Sequence, residues 1–210
     1  MNRQGVFITL EGGEGAGKST QIARLAARLR AAGLDVLTTR EPGGTPGAEA
    51  IRALMLDPTR HFVPLADTLL VFAARADHVA SIIRPALERG AVVLCDRFTD
   101  STMAYQGHGL GVDRAAIATL GAMIGATPDL TLILDLPDGI ARTRLAGRGG
   151  GADRYEQFDT GFAIRVADGF RAIAAAEPER CALVDAAGGI DDVTETLAGL
   201  IRARLGLAIA

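Results

Sequence analysis

A chain of 210 residues that is 49% apolar has ample material for one packed core, which excludes collagen-like, disordered and disulfide-stapled classes. Twenty-two basic against 25 acidic residues leave a formal net charge of −3, so neither nucleic acid nor an anionic membrane is expected as a partner, and any bound anion must meet a local site. The first apolar run is too short for a secretory signal and no stretch reaches a membrane span, so a cytoplasmic protein is expected. Cys95 and Cys181 lack metal-ligand spacing and read as small buried hydrophobes.

In chain order, residues 5–10 form a short β-branched run suited to a strand buried on both faces. It leads into Gly12-Gly13-Glu14-Gly15-Ala16-Gly17-Lys18-Ser19, which fits the phosphate-binding pattern G-x-x-x-x-G-K-[ST]. Lys18 is the only lysine beside 21 arginines. At this chain's composition a single lysine acquires those neighbours by chance roughly once in seven hundred, which answers the motif's false-positive risk. A compact ammonium on a slim stem fits inside a loop of backbone amides, where arginine's planar fork would crowd it. Ile22, Leu25, Ala26 and Leu29 recur at helical spacing, so the loop opens a helix whose N-terminus faces the phosphates with its partial positive charge.

Further strands are predicted at 34–38, 91–95, 130–134 and 181–184, and helices at 46–56, 66–89, 113–125, 138–147, 160–176 and 190–205. The alternation implies an α/β protein with a three-layer P-loop NTPase fold, a five-stranded parallel sheet carrying helices on both faces. One domain over 1–210 is expected. Residues 147–153 read as a mobile segment inside a short arginine-bearing lid at about 142–157, where Arg142, Arg144, Arg148 and Arg154 straddle three glycines. Those arginines are either a solvated helix end or groups that fold over a triphosphate.

The ligand crevice of an open parallel sheet lies at the carboxyl ends of its strands, which singles out Glu11, Arg40, Glu41, Asp96, Arg97, Asp135 and Asp185. Asp96 is placed to hold a magnesium ion with the Ser19 hydroxyl, Asp135 being the alternative carboxylate. Arg97 is placed to fork onto phosphate, or else to make a structural ion pair. Glu11 is an active-site carboxylate or a neighbour of the helix cap. A guanine-reading N-K-x-D element is absent, because the one lysine is committed to the loop.

Residues 11–20 (EGGEGAGKST), 40–45 (REPGGT), 96–98 (DRF), 104–107 (AYQG), 128–131 (PDLT) and 153–157 (DRYEQ) resemble the bacterial thymidylate kinase family, in its order and over essentially the whole chain. The resemblance implies transfer of the γ-phosphoryl of ATP to the 5′-phosphate of dTMP, giving dTDP for DNA synthesis, with Mg²⁺ and in a homodimer. The helical stretches 66–89 and 113–125 do carry more apolar surface than a monomer needs. An attacking phosphate monoester, with a second pKa of about 6, needs no general base. His61, His78 and His108 therefore read as structural or surface groups.

By resemblance, Lys18, Arg97, Arg154 and Glu11 are catalytic. ATP is held by Gly12, Gly13, Glu14, Gly15, Ala16, Gly17, Lys18, Ser19 and Thr20, with Arg144 and Arg148; Ser19 and Asp96 serve the metal. The phosphate loop contains no arginine, so Arg154 must supply one from the lid. Arg97 holds the acceptor phosphate, Arg40 and Arg52 lie on the same side among the dTMP-binding residues, and Glu11 helps organise the sugar hydroxyl and the metal region. Arg75 donates to thymine O4, where cytosine presents a donor instead. Ser101, Thr102 and Gln106 surround the base, and Tyr105 blocks a ribose 2′-hydroxyl. Many relatives place a stacking aromatic where this chain has Val71; Phe72, one position later, either stacks by a local shift, leaves a weaker platform or is a core phenylalanine. A kinase for another nucleoside monophosphate and a non-catalytic ATP-binding regulator are the alternatives.

Overall fold

Alternation along Val6–Gly12 (β1) sends Ile8 and Leu10 to one face of a sheet and Phe7 to the other, all three inaccessible to solvent. The computed structural model describes residues 5–146, 155 and 159–209. The other strands are Val36–Arg40 (β2), Val92–Asp96 (β3), Leu130–Asp135 (β4) and Cys181–Asp185 (β5), all parallel in the order β2-β3-β1-β4-β5. The three central strands are buried on both faces, whereas the edge strands alternate, as a sheet covered by helices requires. Each strand ends one or two residues later than the apolar pattern suggests. Arg40, Asp96, Asp135 and Asp185 are thus terminal strand residues, and β1 also takes in Glu11 and Gly12.

On one face, Lys18–Ala31 (α1) packs Leu25 and Leu29, and Ile190–Leu205 (α9) packs Leu197 and Ile201, against Leu10, Leu94 and Leu132. The other face is covered by residues 79–83, which follow Pro64–His78 (α3), and by Arg84–Glu88 (α4) and Thr160–Ala176 (α8). Pro46–Leu56 (α2), Arg114–Ile124 (α6) and Asp138–Ala146 (α7) complete the connections with the short Thr99–Thr102 (α5). The bounds of α2 and α8 match their predicted ranges because both caps are local: Thr45 accepts from the Ala48 N–H ahead of Pro46, and Asp159 accepts from the Phe162 N–H. Both cysteines are buried, which pushes the thiols up, Cys181 to about 12.

Two segments depart from the sequence reading. The helix predicted over 66–89 runs from α3 into α4 through a π-helical step, Val79–Ile83, just before Pro85, whose ring nitrogen has no proton for an α-helical bond. Residues 99–109, not predicted as helical, form α5 and a second π-helical segment, Met103–Gly109. Gly107 and Gly109 are poor helix formers, and tertiary packing against α8 supplies what local propensity lacks, with Tyr105 set against Phe162 and Phe170.

Candidate functional site

The carboxyl ends of β1, β2 and β3 open into a cleft of about 690 Å³ that runs from the glycine loop to α3. At one end, Gly12 leaves β1 with φ 129°, and a Cβ there would lie 2.4 Å from the Leu134 carbonyl oxygen, so only glycine permits the turn. Residues 14–20 line the cleft. Lys18 is 93% buried, its Nζ donating to the carbonyls of Gly12 (3.1 Å) and Gly13 (2.8 Å). Burial, and then Arg97, lower its pKa to about 8. The Ser19 hydroxyl donates to Asp96 Oδ2 at 2.8 Å. A hydroxyl beside one carboxylate, both at the cleft wall, suits a hard cation such as Mg²⁺, which keeps most of its shell for water and phosphate oxygens. Asp135, the alternative, is held by both arms of Arg171 at 3.0–3.1 Å.

Arg97 crosses the middle of the cleft. It has φ 68°, a left-handed conformation unusual for a side chain this large. The turn is secured by its N–H on the Leu10 carbonyl (2.9 Å) and by Cys95 Sγ on its own carbonyl (3.1 Å). Its guanidinium donates to the Gly12 carbonyl (3.0 Å) and to Ser101 Oγ (3.2 Å), pairs with Glu14, and lies 4.9 Å from the Tyr105 ring centroid. The backbone at this position thus aims a cation back over the phosphate loop.

At the far end, Arg75 is 1% exposed, yet lines the cleft. Its Nε donates to Glu41 Oε2 (2.6 Å) and its Nη2 to Thr102 Oγ1 (3.0 Å), while Nη1 is the one buried side-chain nitrogen or oxygen among the described residues with no partner. Gln106 Nε2 donates to Asp67 Oδ2 (2.9 Å) and to the Tyr155 hydroxyl (3.1 Å), which itself donates to Asp67 (2.6 Å).

Most residues singled out in the sequence meet in this cleft: Arg40, Arg52, Arg75, Arg97, Ser101, Thr102, Tyr105, Gln106 and Arg144 all line it. Three placements differ. Glu11 lies beneath the floor, fully buried, its carboxylate accepting from the Phe98 N–H (2.7 Å) and from Ser101, so it braces the Arg97 turn. Burial, and then the charge of Asp100, raise its pKa to about 7. Phe72 does not line the cleft and sits against Arg75, while Val71, one helical turn before Arg75, forms part of the wall. Gly12 and Gly13 serve Lys18 through their carbonyls instead of lining the cleft. Arg148 and Arg154, with the predicted mobile segment, lie outside the described residues. The sequence reading also missed Gly188, Gly189, Ile190 and Val193, which close the cleft beside Gln21 and Arg144. Their signal was Asp185, since they follow the carboxyl end of β5.

A glycine loop opening a helix at the carboxyl ends of a parallel sheet, with a lysine inside it and an arginine swung across it, defines a P-loop phosphotransferase. The family model described as thymidylate kinase matches residues 10–197. A thymidylate kinase of Caulobacter vibrioides is 52% identical over 207 residues, covering 97% of this chain and 99% of that protein. One of Pseudomonas fluorescens is 57% identical over 201 residues, covering 94% and 95%. The crystal structure of thymidylate kinase from Ehrlichia chaffeensis superposes with a TM-score of 0.79 at 34% identity, covering 94% of this chain and 98% of that one. The chain belongs to the thymidylate kinase family.

Proposed function

We propose a division of labour for the reaction of this kinase, transfer of the γ-phosphoryl of ATP to the 5′-phosphate of dTMP to give ADP and dTDP. The triphosphate lies along the amides of the glycine loop, with the Lys18 ammonium released from two carbonyls to meet phosphate oxygens. Ser19 and Asp96 hold Mg²⁺, which supplies charge neutralisation at the phosphates when bound. Arg97 leaves Glu14 for the acceptor phosphate and brings it in line, Arg40 and Arg52 assisting from the same wall. Arg144 serves the ATP side. Arg148 and Arg154, outside the described residues, are assigned by resemblance to neutralising the charge that develops in transfer. A phosphate monoester dianion attacks without a general base, so the chemistry is positioning and electrostatics.

The observation that carries the choice of thymine is the unpartnered Arg75 Nη1. A buried N–H without an acceptor is costly, and a pyrimidine O4 in the cleft removes that cost where the amino group of cytosine does not. The Tyr105 hydroxyl, which donates to Glu14 at 3.2 Å, is assigned by resemblance to excluding a ribose 2′-hydroxyl. ADP release measured with dTMP, dUMP, dCMP and AMP in turn tests the assignment: dTMP is expected to be fastest, dUMP intermediate and the other two near background. Equal rates with dTMP and dCMP reject it.

Val63, Leu65 and Leu69 on or beside α3 and Met123 on α6 are all roughly half-exposed or more, an apolar face for which a second copy of the chain is the proposed partner. Sedimentation at twice the 21.8 kDa chain mass is expected; the single mass at micromolar concentration rejects the homodimer. Among the described residues no helix is long and apolar enough to cross a membrane, and the cytoplasm is the proposed compartment.

A further inference from the structure

His78 stands behind the cleft wall, fully buried, on the same face of α3 as Arg75 three residues earlier. Its Nδ1 is 2.9 Å from Glu41 Oε1, and Glu41 Oε2 is the acceptor for Arg75 Nε. A carboxylate only accepts, so Nδ1 carries a proton and Nε2 faces the Thr39 hydroxyl at 2.6 Å. The chain Thr39–His78–Glu41–Arg75 therefore ends on the guanidinium whose Nη1 is unpartnered. Two rings hold the same group, with the Phe72 and Phe98 centroids each 4.9 Å from Arg75 Cζ. The 40–45 loop is shaped around the histidine: a Cβ on Gly44 would lie 2.5 Å from His78 Cδ2 and Nε2.

We propose that Glu41 and His78 are positioning residues for base selection, together fixing the plane of the Arg75 guanidinium so that Nη1 faces the C4 oxygen of the acceptor base. The proposal rests on the reading of Arg75 as the base-contacting residue. Nε and Nη2 are both engaged within the protein, which leaves Nη1 as the guanidinium nitrogen without a partner. Without the Nδ1 donor, Glu41 Oε1 has no partner, the carboxylate is free to rotate and Arg75 turns with it. An arginine held only by Thr102 and the two aromatic faces would pivot about that one hydrogen bond and meet either a carbonyl or, through water, an amino group.

Steady-state kinetics test this with dTMP and with 5-methyl-dCMP, which keeps the methyl group and places an amine at C4. In His78→Phe the KM for dTMP is expected to rise about tenfold, with kcat and the KM for ATP within about twofold and the preference for dTMP over 5-methyl-dCMP reduced. His78→Asn, whose amide reaches the Nδ1 position, should recover most of the loss. If His78→Phe does not fold, Glu41→Gln decides: the histidine accommodates the amide by changing tautomer, and a neutral partner holds Arg75 more loosely, so a rise in dTMP KM of about fivefold is expected. An unchanged dTMP KM, equal rises for both substrates, or failure of the asparagine rescue overturns the proposal. Arg75→Ala separates the two levels. If it affects both substrates alike, the base-reading role itself fails; if it is selective for dTMP while the His78 and Glu41 variants are not, only the positioning role fails.

Discussion

At the phosphate end of the cleft, consecutive residues 12–19 supply the turn, the amides, the ammonium and the hydroxyl from one stretch of chain. At the base end, Arg75 and His78 from α3 meet Glu41 from the loop after β2 and Thr102 from α5, and each depends on another for its orientation. The first site is made mostly of backbone, so it keeps its shape when a side chain is lost. The second is a buried polar network, in which removing one member leaves its neighbour unsatisfied.

The largest expected effect breaks the comparison at its local end. Lys18→Ala should lower kcat/KM for ATP by about a thousandfold or more, and Lys18→Arg by nearly as much, because the fork does not fit the loop. Binding of dTMP measured by calorimetry should stay within about threefold for both. An active Lys18→Arg enzyme contradicts the steric account of the loop. At the dispersed end, Arg75→Ala should raise the KM for dTMP about thirtyfold while that for ATP changes less than about threefold. A pH series sharpens the contrast: Lys18 titrates near 8, so kcat/KM for ATP should decline above that pH. Bound phosphates favour the ammonium, so kcat should hold to higher pH and kcat/KM for dTMP at saturating ATP should lack the break.

The smallest effect concerns Glu11, the brace between the two ends. Its pKa in the folded chain, about 7, exceeds its ordinary 4.5, so the folded state holds the proton more tightly, and the associated stability is lost as pH rises through that interval. Glu11→Gln is exempt from this loss, and its melting temperature relative to the parent should rise between pH 5 and pH 8, equivalent to on the order of 2 kcal/mol. A constant difference across that range contradicts the burial of a carboxylate at this position.

Where a residue's role depends on its chain neighbours, the sequence was legible. The glycine loop opening a helix at Lys18, the helix bounds 46–56 and 160–176 and the position of Asp96 at the end of β3 are local or lie at a strand terminus, and the structure has them there. Where the role depends on which way a helix face turns, the sequence left the choice open: Phe72 and Val71 are adjacent, yet about 100° apart around α3, and only packing decides which lines the cleft. Glu11 follows the same logic, since alternation along β1 sends it under the floor, where the Phe98 N–H and the Ser101 hydroxyl donate to its oxygens.

By itself the amino-acid sequence determined the parallel α/β order, the phosphate loop and the family, because hydrophobic period, glycine spacing and a lone lysine are short-range properties of a chain. Only the tertiary structure decided that 99–109 is helical, that Glu41 and His78 converge on Arg75, and that one guanidinium nitrogen is left unpartnered. Those outcomes come from burial among segments distant in sequence, where the cost of each unpaired polar group is set by whichever neighbours the fold brings to it.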